Sequence, residues 1–147
     1  MRVCLVHHAD SVGPDVDPQR PLSETGRLQA DWLANHVKRI GFAPAAIWHS
    51  GKLRARQTAE LFWRASNPLA AFSATRGLQP DDPPGWMRDR LAGEARAVML
   101  VGHMPHLARL LHMLLRRPAG EAPDFPLHGC VALDTDGEDW KEIWRVI

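Results

Sequence analysis

Four short apolar stretches, each followed after a polar break by a segment of helical periodicity, restrict this chain to a layered α/β architecture. The stretches are 2–6, 45–49, 69–72 and 97–101. Each is short, rich in apolar residues and bounded by polar or turn-forming ones, so each reads as a buried strand. Residues 11–21 hold Gly13, Pro14, Pro18 and Pro21 and must form a loop. Ser23 then takes the N-cap position of a helix, with Glu24 in the positive first turn. Leu28, Trp32, Leu33, His36, Val37 and Ile40 recur at helical spacing, and Gly41 stops the run. Ser50 caps a second helix to about Ala65. A weak helix over 86–91 follows the Pro- and Gly-rich loop 77–85, and Pro105 opens a last helix to about Arg117. Gly129–Leu133 and Trp140–Val146 flank a polar turn and read as a hairpin. The expectation is a single domain over residues 1–147. It is a three-layer α/β/α sandwich with a mostly parallel sheet and a C-terminal antiparallel hairpin.

Charge narrows the partners. Lys and Arg total 18 and Asp and Glu 17, a net charge of +1. That balance argues against a general nucleic-acid binder, which needs many phosphate contacts. No apolar run approaches the ~20 residues that span a bilayer, and the N-terminus turns polar at His7 and His8, too soon for a signal peptide. A cytoplasmic protein without membrane or nucleic-acid partners is expected. Cys4 and Cys130 sit in apolar runs and read as buried thiols of a reducing compartment.

In a parallel sheet, ligands gather at the carboxyl ends of the strands. His7 and His8 leave the first strand there, His49 and Ser50 the second, and Gly102 and His103 the fourth. Arg54 follows one helical turn after Ser50. Imidazoles and a guanidinium in one crevice suit a phosphoryl group, since Arg offers a planar fork to its oxygens and a neutral His attacks phosphorus.

Four segments in order carry a family resemblance. Leu-Val-His-His-Ala-Asp (5–10) resembles Leu-x-Arg-His-Gly-x, and Arg-Pro-Leu-Ser-Glu-Thr-Gly (20–26) resembles Arg-Pro-Leu-Thr-x-x-Gly. Ser-Gly-Lys-Leu-Arg-Ala-Arg-Gln-Thr-Ala (50–59) resembles Ser-Pro-x-x-Arg-Ala-x-Gln-Thr-Ala, and Val-Gly-His-Met-Pro-His-Leu (101–107) resembles Val-Gly-His-Asn-Pro-x-Leu. These are marks of the histidine phosphatase superfamily, with its phosphoglycerate-mutase-like fold. The short length resembles its SixA-type phosphohistidine phosphatase branch.

The resemblance implies that His8 is the nucleophile, that Arg54 binds phosphoryl oxygens, and that His103 is the second histidine of the site. It implies no metal and no other cofactor. It also implies substrates: a protein carrying phosphohistidine, or a small phosphorylated molecule. His7 stands where the family usually has Arg, so imidazole replaces a guanidinium there as the phosphate contact. Ala9 replaces Gly, Gly51 replaces Pro and Met104 replaces Asn. The general acid of larger members has no clear counterpart. Asp82 is the choice among Asp81, Asp82 and Asp89, with Asp15 and Asp17 as rivals. A phosphohistidine substrate lessens that demand, because its leaving imidazole already carries a proton near neutral pH. Two other readings stay open: a phosphate-binding module without turnover, and a phosphatase of small esters.

The remaining residues read as structural. His49 is expected in packing, Trp32, Trp48 and Trp63 in the core, and Trp86 on the pocket wall. His103 and His106 stand three apart, but no carboxylate or Cys completes a metal-ligand pattern with them.

Overall fold

The computed structural model describes residues 1–147. Its strands are β1 (Arg2–His7), β2 (Ala46–His49), β3 (Ala71–Ala74), β4 (Val98–Gly102), β5 (Cys130–Thr135) and β6 (Trp140–Val146). Its helices are α1 (Glu24–Ile40), α2 (Leu53–Ser66), α3 (Pro84–Ala92) and α4 (His106–Leu114). One sheet holds all six strands in the order β3-β2-β4-β1-β5-β6. The first four run parallel, β5 runs antiparallel to β1, and β6 runs antiparallel to β5.

Alternate residues of each central strand feed two cores, because both faces of the sheet are covered. Val3, Leu5, Trp48, Leu100 and Val131 pack with Met87, Leu91, Leu107 and Leu111 of α3 and α4. Cys4, Val6, Ile47, Met99 and Val101 pack with Leu33, Val37, Ala59 and Phe62 of α1 and α2. This is the three-layer sandwich with a C-terminal hairpin. Cys4 and Cys130 are free thiols, fully buried. No helix is long and apolar enough to cross a membrane.

Three local expectations are corrected. Leu28 and Trp32 are 69% and 54% exposed. The buried face of α1 is instead Gly26, Ala30, Leu33, Ala34 and Val37. Small residues take that face because the chain crosses it closely: a Cβ on Gly26 would collide with the Asp10 carbonyl. Ser50 does not cap α2, whose cap residue Lys52 makes no side-chain bond. Strand β3 begins at Ala71, two residues later than its apolar pattern suggests, since Leu69 is 95% exposed.

Other details follow the sequence closely. Ser23 caps α1 by accepting from the Gly26 N–H, and Gly41 ends it at φ 99°, a left-handed conformation that costs glycine little.

Candidate active site

Register brings the chemistry to one edge. His7 of β1 lies level with Gly102 of β4, and His49 of β2 with Val101. The carboxyl ends of three parallel strands therefore meet there, and His8 and His103 leave them side by side. The neighbour on the other side of β1 is β5, which runs the opposite way and so starts at this same edge. The loop into β5 delivers His128. The His7 N–H donates to the Gly129 carbonyl at 3.0 Å and the His8 N–H to the Gly102 carbonyl at 3.1 Å.

Four imidazoles result. The rings of His7 and His8 lie 4.5 Å apart, His8 and His103 5.0 Å, and His7 and His128 4.9 Å in a parallel stack. His7, His8 and His103 are 5%, 9% and 2% exposed, while His128 is only partly buried.

Backbone contacts set the tautomers. His8 Nδ1 donates to the Ala9 carbonyl at 2.7 Å, which leaves its Nε2 lone pair free. His7 Nδ1 accepts from the His128 N–H at 2.9 Å, so the proton of the neutral ring sits on Nε2. His128 Nδ1 donates to the His8 carbonyl at 2.8 Å. His103 Nε2 shares a proton with Ser50 Oγ at 2.7 Å. That hydroxyl also accepts from the Lys52 N–H, and so serves the site rather than a helix end.

The field keeps these rings neutral. Burial, then the neighbouring His8, His128 and Arg54, lowers His7 to about 3. Burial outweighs the Ala9 hydrogen bond and, with Arg54 next, lowers His8 to about 4. Burial, then His8 and Arg54, lowers His103 to about 2. A neutral His8 with a free Nε2 is the state a nucleophile requires. Arg54 supplies the fixed cation, and its buried Nε has no partner in the chain. Arg20 adds to the positive field, disfavouring protonated His8. It sits at φ 52°, with Nε donating to the Val12 carbonyl and a terminal nitrogen to Ser11 Oγ.

The motif residues between these groups hold the loops. Thr58 Oγ1 accepts from the Ala9 N–H at 3.1 Å and donates to the Arg54 carbonyl at 2.9 Å. Gln57 Oε1 accepts from the Leu22 N–H at 2.7 Å. Ser23 Oγ donates to Asp10 Oδ2.

Of the residues expected at the site, His7, His8 and His103 form the imidazole group, with Arg54 close enough to depress all three. Asp82 stands off to the side. It accepts from the Gln79 N–H at 2.9 Å and lines a cleft of about 480 Å³ with Ser50, Arg76, Gln79 and Trp86. Trp86 lines this side cleft, which includes none of the four imidazoles. Asp15 lies in an exposed turn of the first loop, and Asp17 is partly buried just after it. His49 packs on Phe72 and accepts from the Gly51 N–H.

Sequence reasoning missed His128. A signal existed in the expected hairpin, since an antiparallel strand beside the first one must begin at the edge where the parallel strands end. Ring nitrogens of His7, His8 and His128 lie within 4.8 Å of one another, which brings them within reach of one metal ion. The donor set fits such an ion poorly, because His7 Nδ1 is engaged by the His128 N–H and its Nε2 carries the proton.

Comparison with known proteins agrees with this geometry. The sequence profile of the histidine phosphatase superfamily (branch 1) matches residues 5–79. No curated protein matches the sequence. Among solved structures, the protein histidine phosphatase SixA complexed with tungstate is 24% identical, with a TM-score of 0.85 and 99% of this chain and 96% of that one covered. The SixA of Agrobacterium tumefaciens is 26% identical, with a TM-score of 0.80 and 99% and 97% covered. A mycobacterial glucosyl-3-phosphoglycerate phosphatase complexed with VO3 is 18% identical, with a TM-score of 0.70 and 97% and 96% covered.

Proposed function

This chain belongs to the histidine phosphatase superfamily, and on that premise we propose that it is a phosphatase working through phosphorylated His8, with phosphohistidine on a protein as its substrate. The observation that carries the reading is the His8 ring: Nδ1 is tied to the Ala9 carbonyl, so Nε2 alone can attack. Its nearest ring neighbours are neutral imidazoles, and Arg54 is the cation beside them.

Nε2 attacks phosphorus in line with the leaving group. Arg54 takes the equatorial oxygens through its fork. His7 donates from Nε2–H while uncharged, and so replaces part of what a guanidinium gives. His103, steadied by Ser50, offers a further oxygen a hydrogen bond from its uncharged ring. Preorganised donors of this kind stabilise charge where it develops. Water then attacks the phosphohistidine and releases phosphate. No metal or other cofactor enters these steps.

Phosphohistidine as substrate has two supports. The site places no carboxylate among its four rings, and a leaving imidazole needs less protonation than an alkoxide. The solved structure named a protein histidine phosphatase also aligns along nearly the whole chain.

The test is phosphate release from a phosphohistidine-bearing carrier protein and from aryl phosphates, combined with quenching in alkaline detergent to trap the phosphoenzyme. We expect turnover by the wild-type protein, alkali-stable and acid-labile label on the enzyme, and a loss of about 10³-fold or more in His8→Ala. Phosphate binding without turnover on any substrate would replace this reading with a binding module.

A further inference from the structure

We propose that His128 is the proton-transferring residue of this site, a role that rests on the phosphatase reading above. Among the four clustered imidazoles it alone is partly exposed to solvent. His7, His8 and His103 are enclosed, whereas the ring of His128 reaches solvent at one side of the cluster. Its ring borders a groove of about 440 Å³ with Leu28, Trp32 and Leu127, which gives the departing portion room.

The chemistry of the ring fits. Nδ1 is committed to the His8 carbonyl, so proton exchange falls to Nε2, which has no partner in the chain. The stack on His7 and the tie to the His8 carbonyl hold the ring next to His8, with the two ring centroids 6.1 Å apart. The groups facing His128 are few. From the end of β1 come His7 and His8, with Arg54 of α2 behind both. From α1 come Thr25, Leu28, Gln29 and Trp32, none of them charged. Ile147 also lines the groove, and no Asp or Glu side chain does.

The steps balance. As the His8 Nε2–phosphorus bond forms, the bond from phosphorus to the leaving atom breaks and its electron pair stays with that atom. Protonated His128 gives the leaving atom its Nε2 proton. In the second step a water oxygen bonds to phosphorus, the His8–phosphorus bond breaks, and His128 takes the water proton. The protonated ring is restored.

His128 sits at φ 53°, so Asn is the substitution least disturbing to the backbone. His128→Asn also keeps an N–H donor for the His8 carbonyl while carrying no exchangeable ring proton. The experiment compares wild type, His128→Asn and Asp82→Asn on aryl phosphates of graded leaving-group basicity. For His128→Asn we expect phosphorylation by phenyl phosphate to fall about 10²–10⁴-fold and nitrophenyl phosphate to be nearly unaffected. We also expect inorganic phosphate to bind as in wild type. Asp82→Asn should keep the wild-type profile. An equal loss on every substrate, or the leaving-group effect appearing in Asp82→Asn instead, would overturn the role of His128 and leave the phosphatase reading intact. Absence of turnover in the wild-type protein would overturn both.

Discussion

The imidazole at position 7 solves a problem that Arg does not face. A guanidinium is charged at every relevant pH, while a buried imidazole beside three others and Arg54 is held neutral. What makes His7 useful is its tautomer, fixed by a backbone N–H, so that a neutral ring still presents a donor. Removing that donor without changing the packing volume much should therefore cost binding, whereas removing charge should not. His7→Leu is expected to weaken inorganic phosphate or tungstate binding by about 10–100-fold, the value of a hydrogen bond to a charged group. Calorimetry at neutral pH reads this directly. Unchanged affinity would mean that His7 supports the stack with His128 and never touches the anion.

At the scale of elements, the site depends on how β1 is tied to α2. The Ala9 N–H has no strand partner, because the strand has just ended. Thr58 supplies the acceptor from the middle of α2, and the same hydroxyl bonds back to the Arg54 carbonyl. Thr58→Val keeps the shape and leaves a buried N–H unsatisfied. Its expected cost is about 1–3 kcal/mol in urea unfolding, together with a lower rate because His8 and Arg54 lose their common tether. A stability loss with an unchanged rate would show that the tether is not needed for catalysis.

The same element explains what was legible in advance. Strand and helix order followed from apolar runs and caps, since both faces of this sheet are buried and every central strand is continuous in apolar residues. The edge cluster of His8, Arg54 and His103 followed from that order plus the motifs. The face of α1 did not, because periodicity marks large apolar residues while close packing chose Gly26, Ala30 and Ala34. Ser50 was misread for a related reason: the same hydroxyl suits a cap or a histidine, and only the tertiary position decides. His128 was missed because its importance lies in strand direction, which no residue pattern around it carries.

Gathering neutral histidines at one buried edge has a consequence for the whole molecule. The folded values of His7, His8 and His103, about 3, 4 and 2, lie below the 6.5 of an unfolded histidine, through burial foremost. Above pH 6.5 both states are neutral at these positions and the stability they permit is fully present. Below it the unfolded chain takes up protons that the folded chain refuses, so stability falls as pH drops from 6.5 toward 4. Each ring contributes at most about 1.4 kcal/mol per pH unit in that window, and partial access to water reduces this. His106, outside the site, adds to the same effect. Its ring is fully buried at the start of α4 with neither nitrogen paired, and burial lowers it despite the attraction of Asp82. The positive end of the helix disfavours its protonation further. His106→Leu should therefore stabilise the fold by about 1–3 kcal/mol near neutrality by removing an unsatisfied polar group. It should also make the acid-side loss shallower while leaving the catalytic edge in place. Urea midpoints for both proteins at pH 7.5, 6 and 5 measure this. Parallel curves for the two would show that His106 titrates alike in the folded and unfolded chains, and that its unpaired nitrogens find water after all.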